Sequence, residues 1–316
     1  MDLEDEFARC RGELVAHCYR MLGSPHDAED AVQDTYLRAW RGFADFEQRS
    51  SVRTWLYRIA TRVCLNALRH SSRRLVPSAL GAPGTDPDHL AHATEVTWLE
   101  PFPDPPLSAD PAQVVGNRQS LRLAMVAALQ HLPPRQRAVL ILRDVLAWQA
   151  SEVAGLLETT TAAVNSSLQR ARAELARLAP AEDRLGEPDE PARRALLDAY
   201  ADAFEKADLA ALETLLTRDV RWEMPPIPTW FDGREAVMRL LAAKLTPGEG
   251  LRIMMETSAN GQPAFGSYVR GPDGVHRGYS LQVLTLTGAG VSAVTAFHGT
   301  SLFPLFGLPI HRGRQG

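Results

Sequence analysis

Lysine is almost missing from this 316-residue chain: Lys206 and Lys244 are the only two, although lysine and arginine together number 34. The cationic surface is therefore arginine, whose planar fork suits phosphates and guanine edges in a way that a point-charge ammonium does not. Cysteine is scarce too. Cys10, Cys18 and Cys64 all fall within the first 64 residues, with no C-x-x-C spacing. That argues against a disulfide scaffold or a zinc site and makes a reducing cytoplasm the expected compartment. No apolar run is long enough to cross a bilayer, and the first residues, MDLEDEFARC, are acidic, unlike a secretory leader. No membrane partner, metal or cofactor is expected. With 45% hydrophobic and 23% charged residues the chain can build a sizeable core, and its length suits two or three domains.

The net charge of −4 hides local absences. Residues 50–74 hold six arginines, no acid, and interleaved Trp55 and Tyr57. Arginines with aromatics on a helix suit melted DNA, charge for phosphates and rings for exposed bases, although Trp55 is as readily core. Residues 75–117 hold eight prolines and six acids but no lysine or arginine. They are expected to be a linker that packs no core, with 98–102 (WLEPF) as its one docking patch. A second linker spans 180–191.

Ahead of the arginine run, Ser24-Pro25-His26-Asp27 reads as a helix start, with Ser24 as cap and Pro25 in the first turn. The helix that follows puts Ala28, Val32, Ala39, Trp40 and Phe43 on an apolar side. Asp27, Asp30 and Asp34 form a row elsewhere, either a solvated face or a dock for a basic partner. Residues 132–178 read as a helix-turn-helix: a first helix over 146–157, a turn at Glu158-Thr159-Thr160 with Thr160 able to cap, and a second helix. That helix buries Val164, Leu168, Ala171, Leu175 and Leu178. Its other face offers Thr161, Asn165, Ser166, Gln169, Arg170 and Arg172, without an acid, suited to base edges and phosphates.

LPPRQRAVLILRDV followed by EVAGLL and AVNSSLQRAR closely resembles region four of RNA polymerase sigma factors of the extracytoplasmic-function group, over 118–179. DAEDAVQDTYLRAW with SVRTWLYRIATRVCLNALR resembles region two of the same family, over 1–74. The resemblance implies a fold of two all-α domains. It implies that Asp27, Asp30, Gln33, Asp34 and Arg38 bind core polymerase through its β′ coiled coil, with β as a further contact. Arg53, Trp55, Arg58, Arg62 and Asn66 would open and read the −10 element, and Thr160, Thr161, Asn165, Ser166, Gln169, Arg170 and Arg172 the −35 element of promoter DNA. Arg62 stands where the family commonly has Asn, and Asn66 where it has Asp, which puts promoter preference in question. In that family the linker threads toward the active centre and RNA exit path.

Past residue 191 the pattern changes. Residues 192–204 and 209–216 look helical; 220–224, 251–257, 264–270, 279–286 and 291–297 look like strands punctuated by Asn260-Gly261, Asp273-Gly274 and Gly288-Ala289-Gly290. Helices then an antiparallel sheet make an α+β cone over 192–316. LLDAYADAFEKADLAALETLLTRDVRWEMPP and NGQPAFGSY resemble the SnoaL-like family and the C-terminal extension of one subset of these sigma factors. That fold implies an apolar pocket, here from Trp222, Met224, Trp230, Phe231, Tyr268 and Phe297 with His298. A carboxylate aimed into it would be needed for cyclase or isomerase chemistry. Glu223 points away from Trp222 and Met224 on a strand, leaving His298 and Tyr279 as weaker candidates. The expected role is control by a small ligand or regulatory protein, without catalysis. Two rivals stand beside it: a one-component ligand-responsive transcription factor, and a SnoaL-like enzyme fused to a DNA-binding region.

Overall fold

A computed structural model describes residues 3–46, 50–69, 72–91, 95–104, 121–178, 188–248 and 250–312. The chain divides into two compact units, Met1–Arg74 with Leu99–Ala179, and Leu75–Trp98 with Pro180–Gly316. Most of the 180–191 tether and the 105–117 stretch of the first linker lie outside the described residues.

In the first unit α1 (Leu3–Leu22), α2 (Pro25–Gly42) and α3 (Val52–Ala67) pack around Leu14, Cys18, Tyr19, Met21, Leu56 and Cys64. All three cysteines are buried and free. α2 starts as its sequence dictates: the Ser24 hydroxyl accepts from the Asp27 N–H and Pro25 occupies the first turn. Such a cap stabilises a helix by about 1 kcal/mol. Trp40 is a correction. It is 58% exposed and Leu37 47%, so the apolar side of α2 narrows to Ala28, Ala31, Val32, Thr35 and Ala39.

The second part of this unit comprises α4 (Leu123–His131), α5 (Pro134–Leu140), one wide turn over Ile141–Val145, α6 (Ala150–Leu157) and α7 (Thr161–Leu178). The helix expected from 146 begins only at Ala150. Ala147 takes a left-handed φ of 55°, and a reciprocal capping box between Gln149 and Glu152 sets the start. Glu158 ends α6 with φ 53°, and the Thr160 hydroxyl accepts from the Ala163 N–H, so the expected turn and cap are present. Val164, Leu168 and Ala171 are buried on α7; Leu175 and Leu178 are only half-buried, so the stripe fades toward the end.

Buried polar groups join the two parts. Arg137 of α5 donates to the Met21 carbonyl, to Gln130 Oε1 at 2.6 Å, and to the Gln130 and Leu132 carbonyls at 3.0 and 3.2 Å. The expected docking patch finds its partner inside the chain. Leu99 is fully buried against Gly23, the Glu100 carboxylate accepts from Ser24 Oγ at 2.6 Å, and Phe102 packs on Tyr19.

The second unit is an α+β layer pair. α8 (Glu190–Lys206), α9 (Leu209–Leu215) and α10 (Arg234–Lys244) cover one face of a sheet of β1 (Leu216–Met224), β2 (Ile227–Asp232), β3 (Arg252–Ala259), β4 (Gln262–Arg270), β5 (His276–Thr287) and β6 (Gly290–His298). Strand order is β2-β1-β6-β5-β4-β3, with short β7 (His311–Arg312) on β5. The β1–β6 pair is parallel; the others are antiparallel.

The residues expected to share a pocket are split. Trp222, Met224 and Phe231 belong to the packed cluster under the helices, where Phe204 stacks on Trp222. Trp230 pairs in register with Glu223, and alternation puts both on the opposite face. Tyr268 packs edge-on against Phe303 and donates to the Pro309 carbonyl, behind the sheet. Phe297, one residue from the cluster's Ala296, also turns away from it. His298 is half-buried beside exposed Tyr279.

The second correction concerns 75–98. Far from packing nothing, its residues 78–91 form a strap along the sheet. Glu223, 7% exposed, accepts from the Ser78 N–H at 2.9 Å; the Trp230 indole donates to the Gly81 carbonyl at 2.9 Å; Gly84 N–H donates to Trp230 O at 2.6 Å. Ala91 N–H reaches Thr229 Oγ1, and Leu90 packs on the main cluster. The segment covers the open edge of β2, the place where an unpaired strand invites aggregation.

Candidate promoter and polymerase interface

α2 presents Asp30, Gln33, Leu37 and Trp40 at steps of three and four, so they form one exposed stripe. Asp34 lies beside it and holds Arg38 at 2.9 Å one turn on. Asp27 stands apart, paired with Arg74 at 2.6 Å. Exposed Leu37 and Trp40 beside carboxylates supply apolar area ringed by negative charge, which fits a basic, partly apolar partner helix.

On α3, Trp55, Arg58, Arg62 and Asn66 recur at steps of three and four and share a face, continued by Arg69. Trp55 packs on Phe43 and Phe46, ring centroids 6.2 and 4.9 Å away, so it braces the start of the helix. Arg62 pairs with Glu158 at 3.0 Å, both side chains largely exposed. Arg53 lies off the stripe. Glu13 takes two of its nitrogens, at 2.9 and 2.6 Å, and the guanidinium stacks over Tyr57.

On α7, Thr161, Asn165, Gln169 and Arg172 form one stripe, with Ser166 and Arg170 alongside, all partly or fully exposed. Arg170 donates to Ser166 Oγ at 2.7 Å. Arg172 is drawn off by a two-pronged pair with Asp144, 2.7 and 2.9 Å, which holds its guanidinium above its usual range. Thr160 spends its oxygen on capping. The arrangement can bind anions and polar base edges; it holds no acid–base pair aimed at a common point.

Family models match this chain in three places: sigma-70 region 2 over residues 7–74, sigma-70 region 4 over 122–175, and a SnoaL-like domain over 197–286. The chain is 52% identical to the ECF RNA polymerase sigma factor SigG of Mycobacterium tuberculosis, across 95% of its own length and 82% of that relative. The chain belongs to the ECF RNA polymerase sigma factors. It is also 27% identical to the probable sigma factor SigI of the same organism, covering 82% of each. The crystal structure of M. tuberculosis SigJ superposes with a TM-score of 0.65 at 25% identity, covering 97% of this chain and 99% of that one.

As a sigma factor the chain binds core RNA polymerase and directs transcription initiation at promoters. Sequence reasoning missed the counter-charges of this sigma factor: Glu13, Asp144 and Glu158. Each is distant in sequence from its arginine, and nothing in local spacing pairs them. Leu37 carried a signal that was passed over: a large apolar residue on the acidic side of an amphipathic helix.

Proposed function

We propose that α2 docks this sigma factor on the β′ coiled coil of core polymerase, that region four also reaches β, and that the protein works in the cytoplasm beside the enzyme. The exposed Asp30-Gln33-Leu37-Trp40 stripe carries the reading, because large apolar side chains left in solvent next to carboxylates mark an interaction surface. α3 opens and reads the −10 element through Arg58, Arg62 and Asn66, with Trp55 and Arg53 holding the helix in place. On α7, Asn165, Gln169 and Arg170 read −35 edges; Thr160, Thr161, Ser166 and Arg172 set the helix on the backbone. Transcription from a cognate promoter by core polymerase, with and without this protein, tests it: transcripts must appear only with both.

The C-terminal domain regulates and does not catalyse. The supporting observation is where its acid goes. Glu223 faces away from Trp222 and Met224 and is occupied by Ser78 N–H and Thr295. His298 is held below its usual range by burial, and its ring meets the edge of Tyr279 rather than a carboxylate among the described residues. Turnover of a cyclase or isomerase substrate by the full chain would overturn this assignment.

A further inference from the structure

Within the first unit, α3 and the second helical part enclose a cleft of about 540 Å³. That is the size of a small-molecule site, about 300–1,000 Å³. Arg62 of α3, Arg69 just past its end and Arg135 of α5 line it, and among the described residues Glu158 is the one carboxylate on its wall. Apart from Asn66 the remaining lining is apolar, with leucines at the end of α3 and of α6 and with Pro133 and Pro134. Three guanidiniums beside leucine and proline side chains favour a ligand that joins phosphates to an apolar ring face. One guanidinium already grips an anionic oxygen: Arg62 holds Glu158 at 3.0 Å, and the Glu158 side chain is 80% exposed, free to swing out.

We propose that this cleft binds a free nucleotide. Its phosphates displace Glu158 and meet Arg62, Arg69 and Arg135; its base lies on the leucine and proline floor. The promoter itself cannot be the occupant, a point that rests on the reading of α3 and α7 given above. The −10 and −35 elements lie roughly 25 base pairs apart, about 85 Å along B-DNA. Arg62 of α3 and Glu158, two residues ahead of the cap of α7, touch here. The cleft is whole only while the two regions are together, so a ligand that needs both walls prefers that arrangement and opposes promoter engagement by linkage.

Equilibrium dialysis of the full-length protein against labelled ADP and GDP tests this, with adenosine and inorganic phosphate as controls. At least one nucleotide should saturate with a Kd below about 1 mM, and adenosine and phosphate should each bind about tenfold or more weakly. Glu158→Gln removes the competing carboxylate and should tighten binding. The Arg69→Glu/Arg135→Glu pair should weaken it about tenfold or more at unchanged circular dichroism. No saturation by either nucleotide, phosphate binding as well as nucleotide, or equal affinity in all three proteins would each overturn the proposal. Core-directed transcription without added effector reports separately on the promoter reading. Transcription with no nucleotide binding sinks the cleft alone; nucleotide binding with no transcription sinks the promoter reading alone.

Discussion

His17 should make this protein acid-sensitive well above the pH at which its carboxylates titrate. The ring is fully buried in α1. Its Nε2 lies 3.0 Å from Thr61 Oγ1, and the Thr61 hydroxyl donates its own proton to the Tyr57 carbonyl at 2.7 Å. Nε2 must therefore carry the hydrogen, which leaves Nδ1 as a bare lone pair, buried and without a partner among the described residues. Protonating Nδ1 would bury a charge with no acceptor, beside the buried Arg20. Burial first, and the Arg20 charge second, hold the His17 pKa down at about 3, against 6.5 in the unfolded chain. Since the folded value is the lower one, stability is complete above about pH 6.5 and drains away as pH falls toward 3. The slope approaches 1.4 kcal/mol per pH unit, so between pH 7 and 5.5 this one group removes about 1.3 kcal/mol. His17→Gln keeps a donor for Thr61 and cannot titrate. Urea unfolding of both proteins at pH 7 and 5.5 should show the wild type losing its advantage by that amount. A gap that stays constant over this range, or an NMR titration of His17 near 6.5, would refute the argument.

Changing Asp30 and Asp34 to Arg, or Leu37 and Trp40 to Ser, should abolish co-purification with core polymerase and leave helical content intact. Gln169→Ala or Arg170→Ala should cost about 1–3 kcal/mol in holoenzyme binding and relax preference at one −35 position. Asp144→Asn should instead tighten binding about equally across −35 sequences, by releasing Arg172 toward the backbone. On the strap, a Cβ at Gly84 would stand 2.6 Å from Thr229 Cγ2, so Gly84→Leu should lift the segment. Hydrogen exchange at Ser78 and Ala91 should then quicken about tenfold or more, equivalent to about 1.4 kcal/mol of lost protection. Truncation after residue 180 should change promoter-directed transcription; activity identical to full length at all protein concentrations would remove the regulatory assignment.

Local rules carried the sequence reading as far as local causes reach. Ser24 with Pro25, the Thr160 cap and the α7 stripe follow from hydrogen bonds and periodicities within a few residues, and they are where the chain's spacing put them. The start of α6 was misjudged because Leu146 and Trp148 continue an apolar pattern while Gln149 and Glu152 override it by capping. β2 was overlooked because Pro228 interrupts a six-residue strand, and an edge strand tolerates the missing N–H. α10, Arg234–Lys244, was overlooked for want of a capping side chain, since Gly233 precedes it. The expected pocket failed for a different reason. Composition listed the aromatics correctly, but register decides the face, and Trp230 and Phe231 are neighbours that must point apart. The strap was beyond reach: Trp230 and Gly81 are 149 residues apart, and a proline-rich, acidic segment announces no partner.

The strap also makes the C-terminal unit discontinuous, and that bears on how the protein is made. Leu75–Trp98 leaves the ribosome about ninety residues ahead of α8, the first helix of the body it belongs to. At about 5–20 residues per second, it waits several seconds or longer with Leu90 uncovered. By the end of that interval the first unit has all its parts and the second does not, so the first unit's two helical regions are expected to close before the sheet folds. A polypeptide beginning near residue 190 lacks that segment altogether. Its β2 edge is bare, Trp230 has no carbonyl to hold and Glu223 no Ser78 amide, so the C-terminal domain made alone should aggregate more readily than the same domain within the full chain.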